Sequence, residues 1–152
     1  MSVTISLEGS DQLQRELRRL FGDLRDEVGK MVLATAVEMR ADIVKSIQSG
    51  PASGRTYKKS NPTRTHTASA PGQPPMSDTG RLANSITFDR IGDLTATVGS
   101  ELIYATWLEY GTAKMNFAGG VGGPRPFFRP AVERMRPKYI GKLEDIIRRA
   151  TR

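Results

Sequence analysis

The sequence predicts an α+β fold: a long N-terminal helix, an antiparallel β-hairpin or small sheet, a short helix, and a C-terminal helix kinked at a proline. Three observations carry this. Apolar residues step by three and four through the first third of the chain; two segments alternate apolar and polar around Gly92-Asp93; a last amphipathic stretch opens at Pro130. A length of 152 residues reads as one domain, 1–152. The apolar fraction of 38% is low for a compact domain, so part of the chain is expected to lie outside the core.

Residues 3–7, VTISL, alternate as a short strand does. Ser10 or Asp11 then offers a helix N-cap. Leu13, Leu17, Leu20, Leu24, Val28, Val32, Ala36, Met39, Ile43 and Ile47 form one apolar face to about Ser49, where Gly50 and Pro51 stop the helix. Unbroken, it would be about 57 Å long at 1.5 Å per residue. Gly22 and Gly29 each weaken it by about 1 kcal/mol, which makes them the places where a bend or break would fall, but one long helix is the expectation.

Residues 50–80 change character. They hold more than half of the prolines, almost no aliphatic side chain, and Arg55, Lys58, Lys59 and Arg64 against Asp78. Burial cannot order such a stretch, so a mobile basic arm is expected. Next, Asp78-Thr79-Gly80 reads as a turn or cap, and Leu82 and Ile86 as a helical turn. Ile86 and Phe88, then Leu94, Ala96 and Val98, make a hairpin with Gly92-Asp93 as its turn. Residues 103–110, IYATWLEY, form a short helix with Ile103, Trp107 and Tyr110 on one face and Gly111 as a left-handed C-cap. Residues 113–123 are Gly-rich loop. Pro130 opens the last helix as its first residue, Pro137 kinks it, and Arg148, Arg149 and Arg152 complement its negative end.

The chemistry that the sequence lacks narrows the function. There is no cysteine, which excludes disulfides, thiol nucleophiles and Cys-based zinc sites. The one histidine, His66, lies in the expected mobile arm, where no base could be held against a nucleophile. The carboxylate pairs Asp26/Glu27 and Glu144/Asp145 read as solvated helix faces, and no phosphate-binding Gly-Lys-Ser/Thr loop exists. No catalytic residue, metal ligand or cofactor is therefore expected, and no enzyme. Nor is a signal peptide or an apolar run of membrane-spanning length visible. The net charge of +7 and pI near 10.1 suit an acidic partner, nucleic acid or protein.

What remains is packing chemistry. Tyr104, Trp107, Tyr110, Phe117, Phe127 and Phe128 cluster in 25 residues. Trp107 and Phe128 are expected in the core, and Tyr110 and Phe117 at an interface. The basic arm adds the interface candidates Arg55, Tyr57, Lys58, Lys59 and Arg64. Glu109, set among aromatics, needs a partner if buried: an ion pair with Arg81, Arg125 or Arg129, or a cap.

The order of these elements resembles a known family. Thr79, Gly80, Leu82, Ser85 and Ile86 precede the hairpin; Tyr104, Ala105, Glu109, Gly111 and Thr112 follow it; Pro126, Phe127, Pro130 and Ala131 open the last helix. The set is similar to the gene-product-ten-like tail components of long-tailed, lambdoid bacteriophages, with the basic insert before TGRL as a departure. The resemblance implies a structural virion protein of the neck or tail that completes the tail end for head–tail joining. It further implies a ring, homo-hexameric by the symmetry of the tail. Its neighbours would be the tail terminator, tail tube and head–tail connector, with packaged DNA within reach. Assembly would occur in the host cytoplasm, away from membranes. The competing expectation is a small basic nucleic-acid-binding module.

Overall fold

The computed structural model describes residues 10–112 and 123–151; the expected strand at 3–7, Phe117 and most of the Gly-rich loop fall outside them. The order of elements is α1 (Ser10–Gln48), β1 (Thr56–Ser60), β2 (Thr63–Thr67), α2 (Arg81–Asn84), β3 (Ile86–Gly92), β4 (Thr95–Ser100), α3 (Ile103–Tyr110) and α4 (Phe128–Ala150). This is the α+β arrangement that the periodicities predict.

Helix α1 runs unbroken through Gly22 and Gly29. At Gly29 there is a positive reason for glycine. A Cβ there would lie 2.7 Å from the carbonyl oxygen of Asp93, so the helix accepts the tip of β3–β4 against its bare backbone. Gly22 has no such neighbour: nothing lies within 4 Å of the position its Cβ would take.

The two hairpins are separate two-stranded antiparallel sheets. In β3–β4, Phe88 pairs with Val98 and Arg90 with Ala96, as the alternation predicts. The turn is displaced by one residue from Gly92-Asp93. The register slips between Arg90 and Gly92, Gly92 pairs with Thr95, and Asp93-Leu94 makes the corner, leaving Ile91 and Leu94 exposed.

The larger difference is at 50–80. This stretch is not an unstructured arm. It carries β1–β2, paired Thr56 to Thr67 through Ser60 to Thr63 around a turn at Asn61-Pro62. The register puts Tyr57, Lys59, Arg64 and His66 on one face, and Thr56, Lys58, Ser60, Thr63, Thr65 and Thr67 on the other. Backbone bonds from Gly54 to Ala68 and from Ala68 to Arg55 extend the ladder beyond the strands.

Helix α4 lies antiparallel along α1, tied by Arg134 to Asp42, Lys142 to Glu38 and Arg149 to Glu27. It starts at Phe128, two residues earlier than Pro130, and continues on both sides of Pro137. The core sits where α1, α2, β3, α3 and the start of α4 meet: Ile43, Ile47, Leu82, Ala83, Ile86, Ala105, Phe127 and Ala131. Ile43, Ile47, Ile86 and Phe127 are fully buried. Burying one such side chain contributes about 1.5–3 kcal/mol.

Candidate interaction surfaces

The motif between the two hairpins is built from its turn upward. Gly80 takes φ 75° and ψ −8°, the left-handed conformation that glycine adopts without strain. The chain then enters the single turn α2, which drives Leu82 and Ala83 into the core. The Ser85 hydroxyl donates to the Leu82 carbonyl at 2.7 Å and bonds the Ser100 hydroxyl at 2.8 Å, closing the base of β3–β4. Ile86 is buried, and its carbonyl accepts from Arg40 Nε at 2.8 Å. Thr79, Gly80, Leu82, Ser85 and Ile86 thus act together as an anchor between turn, core and hairpin. Among them only Thr79 is exposed, and its hydroxyl accepts from the Arg81 N–H at 3.4 Å.

One carboxylate, Asp78, collects the inner face of β1–β2. Lys59 Nζ bonds Asp78 Oδ2, Arg64 Nη1 lies 3.1 Å from Oδ1, and His66 Nδ1 lies 3.6 Å from Oδ1. The hydrogen bond from Lys59 is the main cause that holds the Asp78 carboxyl below the usual aspartate range. Burial opposes it as the next largest effect, and the charges of Arg64, His66 and Lys59 each lower it further. The basic candidates therefore divide into two pairs. Lys59 and Arg64 are turned inward onto Asp78. Arg55 and Lys58 are exposed, and the Arg55 guanidinium lies 5.5 Å from the centre of the Tyr57 ring. The sequence contained a signal for this hairpin that composition hides: threonine at every second position of Thr63-Arg64-Thr65-His66-Thr67.

Glu109 settles how α3 meets α4. It is buried, and its carboxylate accepts three backbone N–H bonds: from Phe127 at 2.8 Å, Phe128 at 2.9 Å and Arg129 at 2.8 Å. These are the cap and the first two residues of α4, and the next residue is Pro130, which has no N–H. All the orphan donors of this helix end are accounted for, and a negative charge sits at the positive end of the macrodipole. Of the two expected partners, ion pair or cap, the cap is the one formed. Arg125 serves a neighbouring purpose: it is buried, with Nε donating to the Ser69 carbonyl at 3.0 Å and its N–H to Leu108 at 2.6 Å. Gly111 ends α3 with positive φ, as expected, but with ψ 175° the chain leaves extended and not left-handed; its N–H donates to Trp107 at 2.8 Å.

The shared face of Ile103, Trp107 and Tyr110 points outward. These residues are 73, 52 and 67% exposed, so Trp107 does not enter the core. The inner face of α3 uses small Ala105 and capping Glu109 instead, because Phe127 fills the space opposite. Phe128 is half-buried against that core, its ring centre 5.0 Å from that of Phe127. Of the interface candidates that the sequence offered, those left exposed among the described residues are Tyr110, on the aromatic face of α3, and Arg55, Tyr57 and Lys58 at β1–β2, with Lys58 on the face opposite Tyr57.

Residues 11–111 match the protein family described as "Bacteriophage HK97-gp10, putative tail-component". The chain belongs to this family. The match opens with α1 and closes at Gly111, so it takes in both hairpins and the whole of α3. The Pro126–Pro130 element and α4 lie beyond it. In this tail-component family member the capping residue Glu109 therefore falls inside the matched region, and the helix that it caps falls outside. No curated protein and no solved structure matches the chain.

Proposed function

We propose that this tail component is a structural protein of the virion neck, without catalytic activity, which completes the tail end so that head and tail join. The observation that carries this reading, beside the family, is the outward face of Ile103, Trp107 and Tyr110. Large aromatic side chains are concentrated in the cores of protein interfaces, and an apolar patch of this kind marks a surface that a partner covers. Its neighbours would be the tail terminator, the tail tube and the head–tail connector, and the assembly a ring, hexameric where it meets the sixfold tail. It would be built in the host cytoplasm.

The nucleic-acid reading draws on the charge of +7, but half of the basic group on β1–β2 is engaged by Asp78. Arg55 and Lys58 are left to meet an acidic neighbour, protein or packaged DNA. Electron microscopy of a lysate lacking this protein tests the proposal. Filled heads and unjoined tails, or tails of faulty length, are expected. Normal infectious particles would refute it.

A further inference from the structure

Among the described residues, everything that packs on α1 stops at one level. The tip of β3–β4 reaches Arg25, which meets Asp93 at 2.7 Å, and the end of α4 reaches Glu27 through Arg149 at 2.5 Å. Ahead of that level α1 projects for about 21 Å, and every residue from Ser10 to Asp23 is exposed. A projecting helix that was polar all round would need no partner. This one carries Leu13, Leu17, Leu20 and Phe21, which are 58, 42, 40 and 63% exposed, and Leu24 continues their line.

The charges beside that stripe are sorted. Glu16-Leu17-Arg18 recurs seven residues later as Asp23-Leu24-Arg25. The residue before a stripe leucine and the residue after it lie on opposite edges of the stripe, since each residue turns the helix by roughly 100°. One edge is therefore acidic, with Glu16 and Asp23, and the other basic, with Arg18 and Arg25. Arg25 is occupied by Asp93, whereas Arg18, Glu16 and Asp23 meet only exposed side chains of the same helix: Arg18 donates to Gln14 at 3.4 Å, Glu16 accepts from Gln12 at 3.2 Å, and Asp23 lies 3.9 Å from Arg19, contacts that a neighbour can replace.

We propose that the projecting part of α1 is a self-association seam that takes the same segment of a second copy of this chain, side by side and parallel. The complement of each edge is the other edge of the same helix. Parallel packing sets acidic edge against basic edge, whereas antiparallel packing sets like against like; flanking charges choose orientation in this way when apolar residues repeat every seven. Copies related by a closed rotation are parallel along the axis, and each presents one edge to either side. The seam deepens the ring reading given above and relies on it only for the number of copies. A pair of segments this short is weak, and closing the array adds strength through effective concentration.

Sedimentation velocity on the full chain tests the seam. The wild type should sediment faster as its concentration rises through the micromolar range. Leu17→Glu with Leu20→Glu should weaken association at least about tenfold, with an unchanged melting midpoint because both side chains are exposed. Glu16→Arg with Asp23→Arg, and separately Arg18→Glu, should each weaken it, and mixing the two variants should restore it. The chain has no cysteine, so Leu13→Cys should form a disulfide with its own kind on oxidation. The seam is overturned by a wild type that stays monomeric throughout, by a double-Glu variant that associates like the wild type, or by Leu13→Cys linking to Leu24→Cys and never to itself. These outcomes are independent of the lysate experiment: a monomeric protein whose loss still leaves tails unjoined removes the seam and leaves the function standing. The reverse pair of results removes only the function.

Discussion

The residue that the fold depends on most locally is Glu109. Its three short bonds satisfy the start of α4, and among the described residues no other side chain bonds those N–H groups. Glu109→Ala should therefore leave three buried or half-buried donors unmet and lower stability by about 2–3 kcal/mol. Glu109→Gln keeps one carbonyl acceptor and should cost less. Chemical denaturation of the two variants checks the order, and equal stability of both with the wild type would show that water caps the helix as well. Sequence reasoning identified Glu109 as needing a partner because aromatics surround it. It could not select backbone over arginine, since the partner is contributed by a helix start 18 residues away.

At the scale of elements, the two glycines of α1 make a contrast. Gly22→Ala should raise helix content by removing a penalty of about 1 kcal/mol, with nothing for the new methyl to strike. Gly29→Ala should destabilise, because its Cβ would press the Asp93 carbonyl and push away the hairpin tip. Far-UV circular dichroism and melting midpoints together distinguish them, and two variants shifting the same way would contradict this packing. The other element with a measurable signature is β1–β2. The carboxyl of Asp78 titrates lower in the folded chain than in the unfolded one, so its contribution is fully present above the usual aspartate range. That contribution is lost as pH falls through the folded value. Protection of 56–67 from hydrogen exchange should thus be flat near neutrality and drop in acid below the aspartate range. Asp78→Asn should give the acid behaviour at neutral pH. Unchanged protection in both experiments would mean that Asp78 does not hold the hairpin. Periodicity revealed α1, β3, β4 and α3 because each buries an apolar face. It missed β1–β2 because that hairpin is ordered by threonine pairing and ion contacts, which leave no apolar pattern. It also showed that Ile103, Trp107 and Tyr110 share a face without showing which way that face turns. The answer depended on Phe127, contributed from beyond α3.

For the whole molecule, the division of the basic residues predicts two phenotypes. Arg55→Ser with Lys58→Ser changes exposed side chains, so the melting midpoint should stay within about 0.5 kcal/mol of the wild type in stability. Joining of heads and tails in a complementation assay should weaken, the more so as salt rises and screens the remaining charges. Lys59→Ser with Arg64→Ser should instead release β1–β2 from Asp78 and lower the midpoint. If both pairs behave alike, the inward and outward roles assigned here are wrong.

The bonds around Glu109 have a kinetic side. The carboxylate and the Leu108 carbonyl hold Phe127 and Arg125 against the end of α3. The last residues of α3 and the first of α4 are thus clasped by bonds that do not run along the chain. Amide hydrogen exchange at Arg125, Phe127, Phe128 and Arg129 should therefore slow as one group, and Glu109→Ala should quicken the last three together while leaving the distant half of α4 unchanged.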